Sequence, residues 1–146
     1  MLRTLLMFLV LATSSLTLAE DQQKPLVLNS YTDAHNAMKK YNAHGIFVFH
    51  AKWCAPCRKM QTESWTPLMP ILKKNYIVYF VDIDVETDIV TKWKQQGRLQ
   101  NGIPAYAMTT RGGSKLMLYG EGYRDKNTFI QWFNNGIRKL QPPGSG

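Results

Sequence analysis

Phe49-His-Ala-Lys-Trp-Cys-Ala-Pro-Cys-Arg-Lys-Met60 holds both cysteines of this chain, Cys54 and Cys57, two residues apart. Such a pair serves as a redox switch, as half of a metal site or as a small structural staple. The residues before it, Ile46 to His50 (IFVFH), form a continuous apolar run of the kind a buried central strand needs. Those after Cys54 (Ala55, Arg58, Lys59, Met60, Gln61, Glu63) suit a helix. Pro56 fits its first turn, where the missing N–H removes no bond. The stretch therefore reads as strand, turn and helix, with Cys54 at the helix N-terminus.

Working outward, Ser30 or Thr32 caps a helix whose apolar face is Ala34, Ala37, Met38 and Tyr41. Leu26 to Leu28 offers a short edge strand, and Gly45 opens the central one. Pro67 and Pro70 are expected to break or kink the helix that follows the cysteines. Tyr76 to Ile83 (YIVYFVDI) is a second strongly β-like run. Thr87 is expected to cap a helix through Ile89, Val90 and Trp93, with Gly97 as its stop. Ala105–Thr110 and Lys115–Tyr119 flank Arg111-Gly112-Gly113 and predict a hairpin. Asp125 caps a last helix that carries Phe129, Trp132, Phe133, Ile137 and Leu140 at helical spacing. Strands alternating with helices, followed by a hairpin, predict an α/β domain with a central mixed sheet and helices on both faces.

The ends read differently. Arg3 precedes an unbroken apolar run, Leu5 to Ala12, then small and polar residues up to Ala19. A basic start, a short apolar centre and a small residue at the end predict a signal peptide over 1–19. The alternative, an uncleaved N-terminal membrane anchor, suits the run less well, because it is short and interrupted by Thr13, Ser14 and Ser15. Residues 20–25 read as a flexible leader, 26–140 as one domain, and 141–146 (QPPGSG) as a disordered tail. Arg3 is the sole charged residue among the first nineteen, so of 18 basic and 10 acidic side chains, 17 and 10 remain, about +7. The basic residues are scattered and form no dense tract, which argues for a solvated surface rather than nucleic acid binding.

Three chemistries compete for the cysteine pair. Structural zinc needs four ligands, and His35, His44 and His50 supply no pair at ligand spacing. As a staple, the loop is too short to restrain much, roughly 2 kcal/mol against about 3 for a fifteen-residue loop. As a redox pair the surroundings fit: free N–H groups and the helix dipole favour a thiolate on Cys54, and Cys57 sits one turn behind it, partly buried.

WCAPC, Trp53 to Cys57, resembles the WCxPC active site of the thioredoxin superfamily, and GIPAY, Gly102 to Tyr106, resembles its Gly-Ile-Pro loop. The resemblance spans roughly residues 26 to 140 and implies a thioredoxin fold with Pro104 as a cis proline facing the cysteines. It implies a thiol–disulfide oxidoreductase without bound metal or organic cofactor, in which Cys54 attacks and Cys57 resolves. Ala55 and Pro56 shape the active-site turn. Trp53, Ile103 and Pro104 offer an apolar rim and a free backbone edge on which an extended substrate docks as an added strand. Many relatives carry a buried acid six residues before the first cysteine and a lysine on the next strand. Here those positions are Val48 and Phe80, so the proton acceptor for Cys57 passes to His50 or to solvent.

WCAPCRKM with the later GEGYRD, Gly120 to Asp125, is most similar to periplasmic thioredoxin-like reductases. This points to a monomer, periplasmic or secreted after signal cleavage, that reduces protein disulfides and draws electrons from a membrane thiol reductase. An oxidase or isomerase is the alternative within the class, and a non-catalytic thioredoxin-fold binding module the alternative outside it. Binding alone needs neither cysteine.

Overall fold

The computed structural model describes residues 28–140. The signal, leader and tail expected at 1–19, 20–25 and 141–146 lie outside them. So do Leu26 and Val27 of the expected edge strand, and Leu28 belongs to no strand. The described elements run α1 (Tyr31–Lys40), β1 (His44–His50), α2 (Ala55–Met60), a π-helical turn (Gln61–Trp65), α3 (Thr66–Asn75), β2 (Tyr76–Asp82), α4 (Thr87–Gln95), β3 (Ala105–Thr109), a 3-10 turn (Arg111–Gly113), β4 (Leu116–Glu121) and α5 (Lys126–Leu140).

Among the described residues the sheet has four strands in the order β2-β1-β3-β4. β1 pairs parallel with β2 and antiparallel with β3, and β3–β4 is the expected hairpin. β1 is central, and Gly45 to Phe49 are all buried, as the apolar run predicted. Its side chains alternate between two cores. Phe47 and Phe49 pack with Ala34, Met38, Val90 and Trp93 from α1 and α4. Ile46 and Val48 pack on the other face with Met60, Trp65 and Phe129 from α2, the π turn and α5. Helices thus cover both faces. In the second core Trp65 meets Phe129 edge to face at 4.6 Å and Tyr106 at 6.0 Å. Such pairs add about 0.5–1.5 kcal/mol each beyond burial. At Gly45 the absent side chain leaves room for the buried end of Met38, which a Cβ there would displace.

Local chemistry sets the helix ends. The Ser30 hydroxyl accepts the Asp33 N–H, and Asp125 accepts those of Asn127 and Thr128, so both caps fall where expected. Helix α4 departs from expectation: Glu86, not Thr87, is its cap. The Glu86 carboxylate accepts the Tyr31 N–H and the Tyr79 hydroxyl, both at 2.8 Å, which holds its backbone in place as the helix begins. At the far end Gly97 has φ 76°, a left-handed stop. Of the break or kink expected at the prolines, the break does not occur, for the chain stays helical from Ala55 to Asn75. The π turn resolves the conflict. Thr66 N–H reaches back five residues to the Gln61 carbonyl, so Pro67 enters at the first turn of a renewed helix. Exposed Pro70 then removes one bond without ending α3.

Candidate redox site

β1 delivers the chain to the site and α2 begins there. Cys54 is the N-cap of α2, with extended backbone (φ −78°, ψ 102°), and its Sγ accepts the Cys57 N–H at 3.2 Å. The two sulfurs are joined as a disulfide. Both residues are buried, Cys54 at 4% and Cys57 at 6% exposure. Burial therefore does not separate them as the sequence suggested, but their neighbours do. Cys54 Sγ lies 3.8 Å from the Ile103 carbonyl oxygen, whereas Cys57 lines an adjoining cavity. Ala55 and Pro56 form the exposed first turn between them.

The Ile103–Pro104 peptide bond is cis, and Pro104 shares the cavity wall with Cys57. The Pro104 carbonyl accepts the Gly122 N–H at 2.8 Å, tying the loop to the end of β4. Upstream, the Glu121 carboxylate accepts the N–H groups of Gln100 at 3.1 Å and Asn101 at 2.9 Å, and also the Tyr119 hydroxyl. Tyr119 Oη in turn accepts the Leu99 N–H at 2.6 Å. Burial raises the Glu121 pKa, but the bonds from Tyr119, Asn101 and Gln100 outweigh it, and the carboxyl is held below its ordinary value. Neither residue stands out in the sequence, since the partners lie about twenty positions apart; the GEGYRD motif marked the place without the role.

Trp53 is 65% exposed beside Cys54, and its indole N–H donates to Asp84 at 2.8 Å. Trp53 is thus anchored by Asp84, a residue the sequence did not single out. His50 is half-buried at the end of β1, with its ring edge-on to Phe80 at 5.9 Å, and it lines the cavity together with Cys57. Val48 and Phe80, the positions where relatives carry the acid and the lysine, are direct partners in the β1–β2 register. Both line the same cavity, so the place beneath Cys57 is apolar. The cavity has a volume of about 570 Å³. Among the described residues, no three His, Cys, Asp or Glu side chains gather as a metal site requires.

A cysteine pair capping the helix after the central strand, faced by a cis proline, defines a thioredoxin-fold disulfide site. The sequence matches the family described as Thioredoxin over residues 26–135, and the chain belongs to that family. It is similar to Thioredoxin H8 of Arabidopsis thaliana, 29% identical over 110 residues that cover 73% of this chain and 70% of the relative. Its fold is similar to that of oxidised mitochondrial thioredoxin 3 from Saccharomyces cerevisiae, with a TM-score of 0.56 and 21% identity over 73% of this chain and 92% of that one. Chloroplastic thioredoxin z is alike in fold as well, with a TM-score of 0.56 and 20% identity over 75% and 91% of the two chains.

Proposed function

We propose that this protein is a thiol–disulfide oxidoreductase that reduces protein disulfides through the Cys54–Cys57 couple. The observation that carries this reading is Cys54 Sγ at the head of α2, accepting the Cys57 N–H and facing the Ile103 carbonyl beside cis Pro104. A thiolate at that place is stabilised by the helix N-terminus. In the reduced protein the Cys54 thiolate attacks one sulfur of a substrate disulfide held along Ile103 and Pro104. The substrate S–S bond breaks, a Cys54–substrate disulfide forms and the first substrate thiolate leaves. Cys57 then gives up its proton to His50 or to solvent and attacks Cys54 Sγ. The Cys54–Cys57 bond closes and the second substrate thiolate leaves. Two electrons have passed to the substrate, and the couple carries them itself.

The signal peptide expected over 1–19 would place this action outside the cytoplasm, as a periplasmic or secreted monomer re-reduced by a membrane thiol reductase. The test is turnover of a synthetic peptide disulfide with dithiothreitol as reductant, comparing wild type with the Cys54→Ser/Cys57→Ser double variant. Equal rates would sink the enzyme reading and leave a peptide-binding module. Equilibration with glutathione buffers sets the direction: a potential below about −250 mV supports a reductase, and one near −120 mV an oxidase.

A further inference from the structure

The cavity beside Cys57 has a floor of Val48, Ala51, Trp65, Phe80 and Pro104, and its volume of about 570 Å³ falls within the range of small-molecule sites. Its rim is polar in one sense. Lys52 and Arg58 line it and are exposed, with His50, Gln61 and Thr62 completing the mouth, and no lining residue is acidic. Arg58 Nη1 donates to the Lys52 carbonyl at 2.6 Å, which holds the guanidinium at the rim.

We propose that this cavity binds a small amphipathic carboxylate, with its apolar tail on the Val48–Phe80 floor and its carboxylate paired to Arg58 and Lys52. Charge complementarity selects the occupant. An anion meets two cations, one of them able to pair in bidentate fashion, whereas a cationic amphiphile meets like charge. The cavity borders the edge on which the disulfide substrate docks: Pro104 belongs to both, while Cys57 lines the cavity and Cys54 faces Ile103. Its effect is regulatory. Resting on the oxidoreductase reading, a tail seated there covers the cavity side of the Cys57 sulfur and slows the deprotonation that precedes resolution.

Decanoate is the probe, titrated by calorimetry into the purified oxidised protein. The expected result is saturable one-to-one binding with a dissociation constant of roughly 0.1–1 mM, in line with the efficiency of small ligands. Decyltrimethylammonium should bind at least tenfold more weakly. Val48→Phe, which fills the floor, should weaken decanoate at least tenfold. Lys52→Glu/Arg58→Glu, placed at exposed positions so that folding is retained, should weaken it at least fivefold. Absence of saturation, equal binding of the cation, or unchanged affinity in folded variants overturns the site. The titration involves no free thiol and no turnover, so its failure leaves the peptide-reduction assay standing, and failure of that assay leaves the binding result standing.

Discussion

Val48→Asp restores a carboxylate beneath Cys57 and tests what its absence means. Val48 is 2% exposed and borders the cavity, so the new carboxyl is desolvated on its strand side and wetted on the other. Buried carboxylates rise by up to 3–5 pKa units; with one wetted face and Lys52 and Arg58 at the rim, a rise of roughly 2–3 units is reasonable. At about 1.4 kcal/mol per unit this is a destabilisation of about 3–4 kcal/mol at neutral pH. For a domain of this size it lowers the melting temperature by about 10–20 °C. The pH sign follows from a raised folded pKa. The penalty is absent below about pH 4, where both states are protonated, and grows as the unfolded chain ionises towards neutrality. Adding Phe80→Lys places an ammonium at the register partner. It gives up the edge contacts of Phe80 with Trp65 and His50, so the recovery is partial, with a favourable coupling of about 1–2 kcal/mol in a double-mutant cycle. In catalysis, wild-type turnover should climb with pH through the neutral range as Cys57 deprotonates. Val48→Asp supplies a local base, which should flatten that climb and raise the rate near pH 7 by about tenfold or more. The assay is a pH–rate profile of peptide disulfide reduction, with thermal melts at pH 4 and 7. A folded Val48→Asp protein whose profile overlays the wild type refutes the reasoning about Val48, while leaving Cys54 and Cys57 in place.

Three further outcomes are expected. Cys57→Ser should accumulate mixed disulfides through Cys54 on non-reducing gels and Cys54→Ser should not; equal trapping would undo the division of roles. Pro104→Ala or Pro104→Thr should leave the fold largely intact while trapped complexes rise or turnover falls, and an unchanged rate in a folded variant would remove Pro104 from the site. Because the Glu121 carboxyl is held below its ordinary value, its grip on the loop is complete above the unfolded pKa and is released as pH falls through the folded one. Hydrogen exchange at Gln100 and Asn101, corrected for intrinsic rates, should therefore lose protection on acidification, and in Glu121→Gln already at neutral pH.

Much of the architecture was legible because it rests on local patterns. The run IFVFH, the caps Ser30 and Asp125, the Gly-Gly turn and the spacing of the last helix each state their element within a few residues. Misreadings arose where a distant partner or an irregular helical turn overrode a local propensity. Glu86 displaces Thr87 as a cap while bound to Tyr31, 55 positions away, and the π turn before Pro67 keeps helical a stretch that proline propensity alone would interrupt. In the site, the cysteine pair and the proline loop were readable as motifs, and the absence of the acid and lysine at Val48 and Phe80 was readable residue by residue. The cavity was not, because side-chain volumes from two strands and a helix decide it together. Asp84 and Glu121 escaped notice for the same reason: each acts on a residue or loop about twenty or more positions away.

The four tryptophans of the chain sit in unlike places. Trp53 stands in solvent at the lip of the disulfide, Trp93 projects from α4 into the core shared with α1, and Trp65 and Trp132 belong to the core on the opposite face. The protein therefore carries built-in optical reporters. A chain with Trp53 alone, the others replaced by Phe, should change its emission on reduction and on substrate docking. Chains retaining only Trp93 or only Trp65 should report separately on the loosening of each face of the sheet.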